Sequence, residues 1–151
     1  MVFYLGAVKM KFKKSGNTFI ISIGRGEKII ETLKEFCTSQ KIKCGYFSGL
    51  GALDEAELAH YTVESRKYTS KLFKKPLEII SLNGNITNMG NKPYLHCHIS
   101  LSDNKMNLIA GHLKEGKISA ACEIFLVKLN ANIGRTYNDS IGLNLMDFKK
   151  K

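Results

Sequence analysis

Residues 117–129 carry apolar side chains on both faces of an extended segment. Ile118, Ala120, Cys122, Ile124 and Leu126 alternate with Ala121, Phe125, Val127 and Leu129. Successive side chains of a strand point to opposite faces, so this strand has to be covered on both. It is therefore read as central in its sheet or covered by a subunit partner. Elsewhere one segment has helical spacing: Ile29, Ile30, Leu33, Phe36 and Cys37 form a single apolar stripe over about Glu27 to Gln40. Glu27 suits the positive end of that helix. The other apolar segments are short and β-prone. They are 7–13 and 17–23 around Lys14-Ser15-Gly16-Asn17, then Cys44 to Ala52, Ala56 to Val63 and about Lys67 to Phe73. Leu77 to Leu82 follows Pro76 and stops at Asn83-Gly84-Asn85; 94–101, 106–113 and a short piece near Ile141 to Met146 complete the set. One helix among many strands predicts an α+β fold, a mostly antiparallel β-sheet with one main α-helix packed on it. With no linker or internal repeat, residues 1–151 read as a single domain.

The apolar fraction of 44% suits a globular core. No apolar run approaches the ~20 residues of a membrane helix. The apolar start, Met1 to Val8, is short and lacks the basic stretch of a signal peptide, so a cytoplasmic location is expected. Cys37, Cys44, Cys97 and Cys122 have no C-x-x-C spacing and sit in apolar surroundings, as reduced buried thiols do. The 23 Lys and Arg against 13 Asp and Glu leave a net charge of +10, which favours a polyanionic partner, nucleic acid above all. Lys9, Lys11 and Lys13 would line one face of a strand; Arg66 and Lys67 open a second basic region that continues to Lys75. These five, Lys9, Lys11, Lys13, Arg66 and Lys67, are the nucleic-acid contact candidates. The alternative for each is a solvated face.

Three of the four histidines fall in Leu95-His96-Cys97-His98-Ile99 and Ala110-Gly111-His112-Leu113. On a strand His96 and His98 share a face and Cys97 takes the other. The place of His112 depends on register. A two-residue turn at Asp103-Asn104 pairs His96 with Gly111 and sends His112 to the apolar face. A three-residue loop, Asp103-Asn104-Lys105, pairs His96 with His112 and His98 with Ala110. The second is favoured, because an unpaired histidine in the core is costly. Three neutral imidazoles with an open position form a zinc site of catalytic type. The alternative is a hydrogen-bonded polar face near a subunit contact. His60 reads as an ordinary strand residue. Glu123 and Glu78 interrupt apolar segments and each needs a partner, which makes them acid/base or ligand-contacting candidates. Arg135 and Asp139 read as a local ion pair. Ser48-Gly49-Leu50-Gly51 could cradle an anion but more often permits close backbone packing.

Read in order, several pieces resemble the plant and prokaryote conserved (PPC) domain family, which in plants accompanies AT-hook motifs. They are Arg25-Gly26-Glu27, Phe47-Ser48-Gly49-Leu50-Gly51-Ala52 with Ala56-Glu57-Leu58, and Leu77-Glu78-Ile79-Ile80-Ser81-Leu82-Asn83-Gly84-Asn85-Ile86. Lys92-Pro93-Tyr94-Leu95-His96-Cys97-His98, Ala110-Gly111-His112-Leu113 and Cys122-Glu123-Ile124 continue the set, from about Lys9 to Phe148. The resemblance implies a helix packed on an antiparallel sheet, a homotrimer, and convergence of His96, His98 and His112 on a divalent metal ion, zinc first. Prokaryotic members are described as predicted DNA-binding proteins. Ala110 stands where the family usually has glycine, and the chain carries no AT-hook. Three readings follow as expectations, the first two being a trimeric DNA-associated regulatory module and a metal-dependent enzyme or small-ligand binder using the three histidines. A purely structural role for the histidines at a subunit contact is the third.

Overall fold

Nine strands and one helix build the residues described, 3–4 and 10–149, in this computed structural model. In chain order they are β1 (Phe3–Tyr4), β2 (Lys11–Ser15), β3 (Thr18–Gly24), α1 (Ile29–Ser39), β4 (Gly45–Thr62), β5 (Lys67–Met89), β6 (Lys92–Ser102), β7 (Leu108–Lys128), β8 (Gly134–Asn138) and β9 (Leu143–Asp147). Seven strands form one sheet in the order β1-β2-β3-β7-β4-β5-β6, with every pairing antiparallel. β6 also pairs with β7, so β7, β4, β5 and β6 close on themselves. β8 and β9 make a separate two-stranded sheet. No helix among the described residues is long and apolar enough to cross a membrane. The expected strand over 7–13 begins at Lys11; residues 5–9, including Lys9, lie outside the described residues.

The segments read as separate short strands are continuous. β4, β5 and β7 run for 18, 23 and 21 residues. The residues that predicted breaks sit at bulges instead. Lys75 and Pro76 together face a gap of one residue on β4, between the pairs Glu55–Lys74 and Leu53–Leu77. A proline there forfeits no ladder hydrogen bond. Gly84 lies against the Phe47 ring and within 2.7 Å of the Cys97 Cβ from where its own Cβ would stand, so it is a packing glycine within β5. Gly49 plays the same part on β4: a Cβ there would meet the Glu123 carbonyl and Ile124 Cγ1 at 2.8 Å. The glycines of Ser48-Gly49-Leu50-Gly51 therefore admit β7 rather than an anion.

The helical stripe is buried as expected: Ile29, Ile30, Leu33, Phe36 and Cys37 all face the sheet. Phe36 meets Phe12 and Phe19 edge-on at centroid distances of 5.0 and 5.3 Å, the favoured arrangement of aromatic quadrupoles. Glu27 does not serve the helix start. Its carboxylate accepts from the Met10 and Gly24 amides. Glu115, from β7, accepts from the Ile30 and Glu31 amides at 2.8 and 3.2 Å and satisfies the first turn of α1.

Register defines one outer-face row across the sheet. Lys13, Ile20, Phe125, Ser48, Asn83, His98 and His112 are successive cross-strand partners. Cross-strand partners share a face. On this face Ile20, Tyr46, Leu50 and Phe125 are 41%, 53%, 59% and 57% exposed. The opposite face of β7 buries Cys122, Ile124 and Leu126. Both faces of β7 are apolar as expected, but within one chain only the inner one is covered.

Candidate metal centre

The strands β6 and β7 bring the three histidines together in a register that differs from the expected one. His98 pairs with His112, Ile99 with Gly111, Ser100 with Ala110, Leu101 with Ile109 and Ser102 with Leu108. The connecting loop has five residues, 103–107, rather than three. Asp103 organises it. Its carboxylate accepts from the Lys105 and Asn107 amides at 3.0 and 3.1 Å and pairs with Lys75 at 3.0 Å. The Lys75 ammonium, with these donors, holds that carboxyl well below the usual carboxylate range. The register is displaced by two residues, and two is the side-chain period of a strand. His112 therefore stays on the face of His96 and His98.

The ring centroids of His96 lie 5.2 Å from those of both His98 and His112, and His98 lies 5.6 Å from His112. One nitrogen from each ring lies within 4.8 Å of the other two, a spread within reach of side-chain torsion. His96 and His112 are half-buried and His98 is exposed. Burial, then the neighbouring His112, His98 and Arg135 charges, lowers His96 to about 4. Burial first, and then His98 and Lys114, lowers His112 as well. Both rings are therefore neutral near pH 7 and keep a lone pair for a metal. Cys97 points into the core, and burial pushes its thiol up to about 12, so it is no ligand. The donor set is three imidazoles, which suits zinc and its borderline neighbours.

The other candidates lie elsewhere. Glu78 pairs with Ser102, four residues beyond His98 on β6, a strand distance of ~13 Å. Glu123 is exposed on the outer face between Ser22 and Leu50, with β4 and β5 separating it from His98. Lys11 and Lys13 are exposed on β2, while Arg66 and Lys67 stand at the tip of the β4–β5 hairpin, next to Tyr68 and three residues along β4 beyond Ala59, the cross-strand partner of His112. His60 is exposed and outside the cluster.

Sequence reasoning missed the residues around the site. Asn83 and Asn85 stand opposite His98 and His96 on β5. Tyr68 lies 6.1 Å from the His112 ring, and burial with Tyr94 and Tyr61 nearby raises its phenol. Arg135 makes no local ion pair. It is 8% exposed, donates from Nε to Thr87 Oγ1 (2.9 Å), from Nη1 to the Asn144 carbonyl (3.0 Å) and from Nη2 to Asn85 Oδ1 (2.9 Å), and stacks 4.7 Å from the Tyr94 ring centre. The alternation Asn83, Asn85, Thr87 on β5 was the available signal, since it repeats the spacing of the histidines.

Comparison with known proteins agrees with this architecture. The Plants and Prokaryotes Conserved (PCC) domain family matches residues 10–130. A Bacteroides thetaiotaomicron protein described as a "putative DNA binding protein" is 35% identical, with a TM-score of 0.91 over 93% of this chain and 99% of that one. A metal-containing protein of Archaeoglobus fulgidus is 27% identical, with a TM-score of 0.81 over 94% of this chain and 99% of that one. A plant- and prokaryote-conserved (PPC) protein of Pyrococcus horikoshii is 27% identical, with a TM-score of 0.82 over 99% of this chain and all of that one. No curated protein matches the sequence.

Proposed function

The chain belongs to the Plants and Prokaryotes Conserved (PCC) domain family, and from that premise we propose a single-domain, homotrimeric module that holds one divalent metal ion, zinc first, on His96, His98 and His112. The observation that carries the metal is the convergence of three imidazole nitrogens within 4.8 Å. The metal-containing relative supports it. When bound, the ion supplies a Lewis acid with an open coordination position. The chain's own part is to keep two of the rings neutral by burial and to exclude competing thiol and carboxylate ligands. Metal analysis of untreated protein beside the His96→Ala variant tests this. About one ion per chain is expected in the first and a small fraction in the second. Equal contents would rule this site out.

A second activity, DNA association, is favoured by the +10 charge and by the description of the Bacteroides relative. Lys11 and Lys13 provide one exposed basic row, with Lys9 next in sequence; Arg66 and Lys67 provide the other. Trimerisation multiplies each row by three, and linked weak contacts gain avidity. Phosphate contacts release counterions, so affinity for duplex DNA is expected to fall steeply with salt. The Lys11→Gln/Lys13→Gln variant should bind more weakly on every sequence and lower the salt slope by about one for each phosphate-binding lysine removed. Filter retention of duplex at low and moderate salt decides it; no salt-sensitive retention sinks the reading.

A further inference from the structure

Arg135 is a buried cation beside a site built for another cation. Its three hydrogen bonds go to neutral acceptors, and it forms no ion pair with any carboxylate among the described residues. Burying a charge without a counterion is costly, and a nearby divalent ion adds to the cost. The local structure also directs where a counterion would go. Arg135 Nη2 occupies Asn85 Oδ1, which fixes the amide's orientation and leaves Asn85 Nδ2 as a donor with no partner among the described residues. Asn85 stands opposite His96. Beside the two lies a depression of about 410 Å³ lined by Tyr46, Asn83, Asn85, His96 and His98, with Phe47, Gly84 and Cys97 at its base. No acidic side chain lines it.

We propose that this depression is an oxyanion subsite. A small carboxylate or sulfate-like group would bind the open position of the metal on one side and Asn85 Nδ2 on the other, with Arg135 behind Asn85 as the positioning charge. The inference rests on the metal reading above. It assigns the site a class of ligand: small molecules that carry an oxyanion. Arg135 lies on β8, outside residues 10–130, the region that matches the family, whereas every residue that lines the depression lies within it, so only the positioning charge comes from the hairpin of β8 and β9. Asn85 is the residue that touches the ligand; Arg135 acts through it.

Full-length protein loaded with cobalt(II) provides the test. Its visible spectrum is titrated with acetate and, separately, with sulfate. The variants are Asn85→Ala, Arg135→Gln and Arg135→Lys, with Arg25→Gln, exposed in the turn before α1, as the control. The expected result is a saturable spectral change in the parent protein and the control. Asn85→Ala and Arg135→Gln should each weaken anion binding at least tenfold without changing the cobalt stoichiometry, and Arg135→Lys should recover part of the loss. If Arg135→Gln fails to fold, the surface-accessible Asn85→Ala carries the decision. Normal cobalt uptake with no anion response, or with equal affinity in all variants, overturns the oxyanion subsite alone. A parent protein that takes up no cobalt before any anion is added overturns the metal reading, and the subsite falls with it.

Discussion

Burial holds His96 at about 4, against 6.5 for an ordinary histidine, and moves His112 in the same direction. Between those two pH values the unfolded chain binds more protons than the folded one. The metal-free protein should therefore lose stability as pH falls from about 6.5 to about 4, and the loss should level off below that. Thermal midpoints across this window should show the slope, and His96→Gln should flatten it. An unchanged slope in that variant would place the titration elsewhere. At this scale the histidines were legible, because H-x-H on a strand sets a shared face whatever the fold around it. Arg135 was not. Its partners Asn85 and Thr87 are 50 and 48 residues away, and nothing local distinguishes it from a loop arginine paired with Asp139.

At the scale of elements, α1 shows how far a local reading extends. Its apolar stripe was visible because helical spacing is a property of neighbouring residues. Its cap was not, because the carboxylate on Ile30 and Glu31 comes from Glu115 on β7, 85 and 84 residues away. Glu115→Ala should cost about 1 kcal/mol, typical of a missing helix cap, read as a lower urea midpoint at constant slope. Glu31→Ala, which removes only an exposed pair with Lys28, should cost less. If the two variants were equal, Glu115 would not be the cap. The strands followed the same division. Alternation located them, while Pro76, Gly84 and the 114–116 segment suggested ends that bulges and close packing turned into continuations. The hairpin of β8 and β9 was half seen. Its second strand carries apolar alternation, whereas Gly134–Asn138 is polar and is ordered by the residues that Arg135 reaches.

For the whole molecule, the outer apolar face ties the single chain to its proposed assembly. Ile20, Tyr46, Leu50 and Phe125 share that face with the histidine row, and a patch of this kind marks an interaction surface. Phe125→Asp should convert a particle of three times the 16.9 kDa chain mass into a monomer in sedimentation equilibrium. A parent protein that sediments as a monomer would remove the trimer. By itself the sequence determined the fold class, the helix, the faces of the strands and the common face of His96 and His98. All of these depend on periodicities of two or 3.6 residues, which local sequence carries. The tertiary structure decided the five-residue loop that aligns His98 with His112, the closure of β7 onto β6, the Glu115 cap and the buried Arg135 behind Asn85. Each of these brings together groups distant along the chain or turns on the count of residues in one loop, and only packing sets such distances and registers.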